Sequence, residues 1–554
     1  MRTNYARNLT TRKTTNVPQT RPLKGQVANS AGGYSFAVDC WTRLDRFLIL
    51  GCEGGSYYAT ERELTVENAK CVMECAIKDV IRTVERIVQI STEGRAPKND
   101  PAIFALALMA GQTCDDSLEP ITQCALEALN KVCRTGEHLF QFVEYVTHFR
   151  GWGRKLRTAI ANWYKDKDAD RLAYQVTKYG QRNGWSHRDL LRLTHAVPTT
   201  PGHKDVFQYI AKKEKWLAST RPGTRMLVMA EEAKTASVSK LMKLIREEGL
   251  VREHIPTERL NDAGVWAALL ENMPVTAMVR NLNKMTNIGL LAPLSDGANT
   301  VCQRLRDQDL LRSGRVHPYN LLVALKTYSR GQGMLGDTTW KPVPEVVAAL
   351  EDAFYLSFGT IVPTGKRHLF GIDVSGSMGT NYITAGKDKK TGKPIPTPVQ
   401  CRSAAACLAM LGMRIEPRSY AFGFTSSFQE LNITANDRLL DVERKVYYSN
   451  FGTTDCAVPM THALRNKLEV DAFVVLTDNE TYAGSKHPTV ALEEYRQRMG
   501  IDAKLIVVGM VSNGFTIADP NDPRQMDVVG FDSSAPSVMA DFVREEGSKR
   551  NWAA

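Results

Sequence analysis

Residues Leu369-Phe-Gly-Ile-Asp373-Val-Ser375-Gly-Ser377 decide how the C-terminal part of this chain is read. The first four form a short apolar run, the mark of a buried strand. Asp373, Ser375 and Ser377 follow at its carboxyl end, so one loop carries a carboxylate and two hydroxyls. These are hard oxygen ligands, suited to magnesium or manganese rather than zinc. A second apolar run, Ala472-Phe-Val-Val-Leu476, ends in Thr477-Asp478. Between the two lies Phe451-Gly-Thr-Thr454-Asp455, a turn with free hydroxyls. In an open parallel sheet, ligands bind beyond the carboxyl ends of the strands. Serine and aspartate crowd turns in any protein, because they bond local backbone. Three such segments in order, each after a strand or turn, point further, to a metal site.

The arrangement resembles the metal-ion-dependent adhesion site of a von Willebrand A domain. On that resemblance Asp373, Ser375, Ser377, Thr454 and Asp478 are the ligands and magnesium the expected ion. The neighbouring runs fit such a domain. Leu369–Val374, Ala404–Met413, Tyr420–Phe424, Ala472–Leu476, Val490–Met499 and Leu505–Gly509 alternate between strand-like and helical patterns. This alternation predicts βαβ units and a parallel sheet covered by helices on both faces. Residues 385–398 are rich in Gly, Lys and Pro and read as a loop overhanging the metal face.

A chain of 554 residues is long enough for two to four domains. No run approaches the 18 or more apolar residues of a membrane span, and Met1–Arg7 has no apolar segment behind it. The eleven cysteines are scattered and without CxxC pairs, so reduced thiols and a cytoplasmic location are expected. Cys71 and Cys75 sit in an apolar helical pattern and read as buried small hydrophobes. Net charge is +11 and lies wholly before residue 361, since the rest holds 22 basic and 22 acidic residues. Residues 154–225 alone hold 16 basic and 6 acidic residues. Such a local excess suggests a polyanionic partner rather than a generally solvated surface.

Residues 1–24 carry six basic and no acidic groups with little apolar pattern, and read as a basic, flexible tail. The region up to residue 360 shows helical periodicity, as in Asn68–Val88, Leu118–Cys133, Leu172–Gln181, Val238–Glu248 and Val346–Phe358. A bundle or degenerate α-solenoid follows from it, with a boundary near Pro363. A folded fragment is expected from about 361 onward, unless the two halves share one core. In the basic segment, Arg171, Lys178 and Arg182 fall on one side of a single helix that Gly184 ends. Ser186 and Asp189 then make a capping box, with His187 and Arg188 in the first turn and Arg192 one turn on. A helix N-terminus of this kind suits phosphate. Trp152, Trp163, Tyr164, Trp185 and Trp216 punctuate the region, most of them as core residues.

Several long strings resemble the Ro ribonucleoprotein autoantigen family, whose members join a TROVE domain to a von Willebrand A domain. They are Gly32–Val38, Trp41–Gly51, Tyr57–Arg62, Tyr179–Leu193, Leu476–Gly484 and Ser512–Pro520. The resemblance spans residues 25–545, with 385–398 an insertion relative to animal members. It implies a HEAT-like helical-repeat ring (residues 25–360) closed by a Rossmann-like α/β von Willebrand A domain (residues 361–554). It also implies a cytoplasmic monomer that binds small Y RNA and the ends of misfolded structured RNAs. Implied partners are an exoribonuclease such as polynucleotide phosphorylase and an acidic protein ligand at the metal. By position Lys178, Arg182, His187 and Arg188 match the Y RNA-binding segment, and Thr454, rather than the adjacent Thr453, matches the family's Thr-Asp-Cys. Arg171 and Arg192 join them from the charge pattern.

The expected function is a non-catalytic RNA-binding scaffold in RNA quality control and decay. A metal-dependent nuclease or phosphatase using Asp373 is the alternative, with Asp455 and Glu480 as further carboxylates. Hydroxyl-rich ligation favours binding over hydrolysis. An assembly protein without an RNA role is the third class, and the basic segment argues against it.

Overall fold

A computed structural model of the protein describes residues 16–51, 66, 69–112, 116–211, 224–333, 338–359, 361–380, 382–387, 394–447, 452–511, 513–529 and 534–544. The first part is an array of packed helices. Many of them start and stop on local signals. Cys40–Leu50 begins at Asp39, whose carboxylate accepts from Thr42 N at 2.8 Å, and ends at Gly51, with φ of 87°. The predicted Asn68–Val88 helix is two, Lys70–Lys78 and Val80–Glu93, because extended Asp79 closes one and caps the other through Arg82 N. Leu118–Cys133 likewise divides into Glu119–Glu127 and Leu129–Val132. Val238–Glu248 has the predicted bounds. Asp100–Ala110 is buried on every side from Pro101 onward, as its unbroken apolar sequence requires.

The two ends of the helical array meet. His317 Nε2 lies 2.9 Å from Arg95 O, and Asn320 Nδ2 donates to Pro97 O at 3.4 Å. The array thus closes on itself as well as on the second part.

That second part holds a six-stranded sheet. Its order is Gln525–Val529, Lys504–Gly509, Ala472–Thr477, His368–Asp373, Ser419–Phe424 and Phe428–Gln429, parallel except for the last. The strand His368–Asp373 is paired on both sides and wholly buried. Within this sheet the next two long strands, Ser419–Phe424 and Ala472–Thr477, add on opposite sides of it, which opens a crevice at their carboxyl ends. Successive side chains alternate between two cores. Leu369, Phe473 and Val475 pack with the helices Val458–Arg465 and Pro488–Met499. Phe370, Ile372, Val474 and Leu476 join an apolar core continuous with that of the helical array. The halves therefore share one core across this face of the sheet, through the helix Cys401–Ile415.

Two expectations change. The 385–398 stretch is not a loop but part of an antiparallel hairpin, Tyr382–Lys387 with Pro394–Gln400; residues 388–393 lie outside the described residues. Proline is tolerated there because the ribbon is only two strands wide. Residues 16–24 are not a flexible tail. Gln19 is fully buried against the C-terminal half, and Arg21 O lies 2.8 Å from His487 Nε2. The rest of that segment, 1–15, lies outside the described residues. Tyr34–Ala37 continues the docking by pairing with both Gln26–Ala28 and Phe515–Thr516.

Arg46 anchors the same interface. Its side chain is 2% exposed and donates to Phe515 O at 3.2 Å and to Asp527 at 2.8 Å, besides contacting Asn513. Removing one partner of a buried ion pair strands the other charge, at a cost of about 3–5 kcal/mol. Arg46→Ala is accordingly expected to lower the unfolding free energy by about that amount, read from urea midpoints. A fragment of residues 361–545 should be molten or insoluble, because it exposes the shared core; a sharp, cooperative melt of that fragment would contradict the shared-core account.

Candidate metal centre and nucleic-acid interface

Asp373 closes its strand, and Thr477 closes the neighbouring one. Parallel pairing sets Leu476 opposite Ile372, so the residues that follow meet at the crevice. Thr477 Oγ1 donates to Asp373 Oδ2 at 2.6 Å, and Ser375 N donates to Asp373 Oδ1 at 2.9 Å. The Ser375 and Ser377 hydroxyls are 3.3 Å apart. Asp478 Oδ1 accepts from Glu480 N at 3.1 Å, while its Oδ2 is buried and makes no hydrogen bond. Thr454 is buried and Thr453 exposed, and Thr454 O accepts from Tyr482 N and Ala483 N. The third segment is thereby tied to the loop that carries Asp478. Phe451 lies outside the described residues.

Asp373 and Asp478 are both essentially buried. Burial, with the Asp478 charge beside it, pushes the Asp373 carboxyl up to about 7. Burial raises Asp478 too, countered in part by the nearby Ser377 hydroxyl. Two buried carboxyls, one orphaned carboxylate oxygen and convergent hydroxyls are a donor set that fits a hard divalent cation. Of the two further carboxylates, Asp455 is engaged elsewhere, its Oδ1 accepting from Gln19 Nε2 and Ala457 N. Burial raises Glu480, which lies beside Ser30 and Ala31 of the N-terminal segment. Among the described residues no group of three or more His, Cys, Asp or Glu is placed to hold a metal.

The basic segment is arranged differently from the expectation. Its first helix is Ala169–Lys178, so Arg182 is not part of it. A hairpin follows, in which Gln181–Arg182 pairs with Trp185–Ser186. Asn183 and Gly184, with φ of 50° and 75°, make its turn. Asn-Gly is a strong hairpin signal, and Gly184 serves the turn rather than a helix end. The capping box forms: Asp189 N donates to Ser186 Oγ, and Ser186 N donates to Asp189 Oδ2 at 3.0 Å. Arg171, Arg182, Arg188 and Arg192 are exposed. Lys178 is half-buried, its Nζ 3.2 Å from the Tyr174 hydroxyl, and it lines a cavity of about 460 Å³ with Arg252 and Arg280.

His187 does not belong to this surface. It is 2% exposed, its Nδ1 is 2.8 Å from the Tyr164 hydroxyl, and it packs against Phe140 and Trp163. Burial pushes it down to about 3, so it is neutral and carries no charge for phosphate. Trp163 and Tyr164 are core residues as expected. Trp152 and Trp185 are half-buried with ring centroids 5.8 Å apart, and Trp216 lies outside the described residues.

Comparison with known proteins agrees with this architecture. A family model described as Ro60 vWA domain matches residues 367–543, and one described as TROVE domain matches residues 27–236 and 227–331. RNA-binding protein RO60 of Deinococcus radiodurans is 39% identical over 537 residues, 96% of this chain and 98% of that one. The protein of the same name from Caenorhabditis elegans is 35% identical over 594 residues, 94% of this chain and 90% of that one. The crystal structure of the Deinococcus radiodurans RO (RSR) protein superimposes with a TM-score of 0.68 at 38% identity, covering 91% of this chain and 99% of that one. The chain therefore belongs to the Ro family, in which a TROVE domain precedes a von Willebrand A domain.

Proposed function

We propose that this protein is an RNA-binding scaffold, which takes up small Y RNA and the ends of misfolded structured RNA for quality control and decay. One observation carries the reading: Arg171, Arg182, Arg188 and Arg192 lie exposed in a segment of net charge +10. Guanidinium groups spaced along a surface track phosphates without reading sequence. The hairpin lifts Arg182 beside half-buried Trp185, an aromatic available to an unpaired base. Relatives along the whole chain are named for RNA binding.

In the second half, Asp373, Ser375, Ser377, Thr454 and Asp478 would hold magnesium, a centre for an acidic protein ligand such as a carboxylate of an exoribonuclease. The binding reading is supported by the engagement of Asp455 with Gln19 of the N-terminal segment, because two-metal hydrolysis needs clustered free carboxylates. A cytoplasmic location is supported by the nine described cysteines, none of which forms a disulfide. Among the described residues no helix is long and apolar enough to cross a membrane.

Each phosphate neutralised adds roughly 0.7–0.9 to the salt slope of RNA binding. The double variant Arg182→Ala with Arg188→Ala should therefore lower that slope by about 1.5 in a salt titration with structured RNA. An unchanged slope would show a merely solvated face. His187→Ser makes the contrasting case. It should leave the slope alone and lower stability by about 2 kcal/mol or more in a denaturant titration, because it opens a cavity in the aromatic core.

For the metal centre, Asp373→Ala should abolish magnesium binding in calorimetry while RNA affinity stays close to that of the unaltered protein. Retained magnesium binding would remove Asp373 from the site.

A further inference from the structure

Gln19 makes hydrogen bonds that no nearby sequence predicts. Its side chain is fully buried, and all four of its hydrogen-bonding positions are filled by the metal-site face of the other half. Nε2 donates to Asp455 Oδ1 at 2.7 Å and to Lys486 O at 2.9 Å. Oε1 accepts from Thr481 Oγ1 at 2.6 Å and from Gly484 N at 3.1 Å. Thr481 Oγ1 in turn accepts from Cys456 N at 3.0 Å. Gln19 therefore joins the turn that bears Thr454 to the loop that leaves Asp478.

The strand segment behind it holds the same loop. Asn29 Nδ2 donates to Thr481 O at 2.8 Å, and Ser35 Oγ donates to Asn479 O at 3.2 Å. A Cβ on Gly33 would lie 1.9 Å from Thr481 O, so strap and loop are in backbone contact. From the far side, Asn513 Nδ2 donates to Asp478 O at 2.5 Å, and Asn513 is itself gripped by Arg46. The loop is clamped between the two, and the strap side of the clamp comes from residues more than 400 positions away.

We propose that Gln19 is a positioning residue of the divalent-cation site, and that its strap, residues 16–37, docks more tightly when the cation is bound. This rests on the metal reading given above. Cation ligands must be held to a fraction of an ångström, and side chains just outside the ligands typically change metal affinity 10–100-fold. Coupling between two binding events is reciprocal, so whatever factor the strap gives the cation, the cation gives the strap.

The test uses the full chain and magnesium alone. Gln19→Ala, and separately Gly33→Ala, should weaken magnesium binding about 10–100-fold in calorimetry at unchanged stoichiometry. Neither residue is among the ligands. In the unaltered protein, magnesium should slow amide hydrogen exchange in residues 16–37 by about tenfold or more, and Asp373→Ala should remove that slowing. The exchange measurement needs no strap variant, so misfolding of Gln19→Ala does not spare the idea. It is overturned if both variants bind magnesium as the unaltered protein does, even with lowered melting temperatures. It is equally overturned if bound magnesium leaves exchange in the strap unchanged. Failure of the unaltered protein to bind magnesium overturns the metal reading itself, and this proposal with it.

Discussion

Burying two carboxyl groups at the ends of adjacent strands is the constraint around which the C-terminal half is organised. Asp373 and Asp478 are buried, with little water to solvate them. What holds Asp373 is a short hydrogen bond from Thr477 and a backbone N–H from Ser375. Neither neutralises charge. A proton shared near neutral pH, or a divalent cation, would do so. The surrounding loops then have to be stiff, since a cation accepts only a narrow range of ligand positions. The strap from the chain's start, the Asn513 contact and the wholly buried parallel strands supply that stiffness.

The same logic separates the two halves in chemistry while joining them in packing. The exposed arginines stand on helices and a hairpin of the TROVE part, and the carboxyls stand on the sheet of the other. Between them runs one continuous apolar core. The pairing of Lys326 with Glu443, and the acceptance by Glu351 of the Leu439 N–H at 2.8 Å, add polar contacts along the seam. Relative movement of the halves would have to break apolar contact as well as ion pairs. A boundary visible in composition near Pro363 is thus not a boundary in the core.

Features encoded over a few residues were legible in the sequence. The apolar runs that became strands, the Asp-x-Ser-x-Ser loop at a strand end and the Ser186–Asp189 capping box all formed where their spacing put them. Features that depend on distant partners were not. Nothing near His187 shows that Tyr164, Phe140 and Trp163 enclose it, so a helix N-terminal histidine read as exposed. Gln19 has no local signal, because its partners are 436 to 467 residues away. The Arg182 hairpin is an intermediate case. Its Asn183-Gly184 signal was present, but glycine also ends helices, and the basic spacing favoured the longer helix.

The docking of residues 16–37 has a consequence for how the protein is made. Tyr34–Ala37 pairs locally with Gln26–Ala28, but gains its second strand only once Phe515–Thr516, far along the chain, exists. At roughly 5–20 residues per second, the first-made segment waits on the order of 20–100 s for its partners. During that interval the outer edge of Tyr34–Ala37 and the side chain of Gln19 have no native partner. Contacts between such distant parts of a chain also form slowly, because a long loop must close before they are rewarded. Docking of this strand onto the second half therefore needs Phe515–Thr516, and a product truncated before residue 515 leaves one edge of Tyr34–Ala37 unpaired.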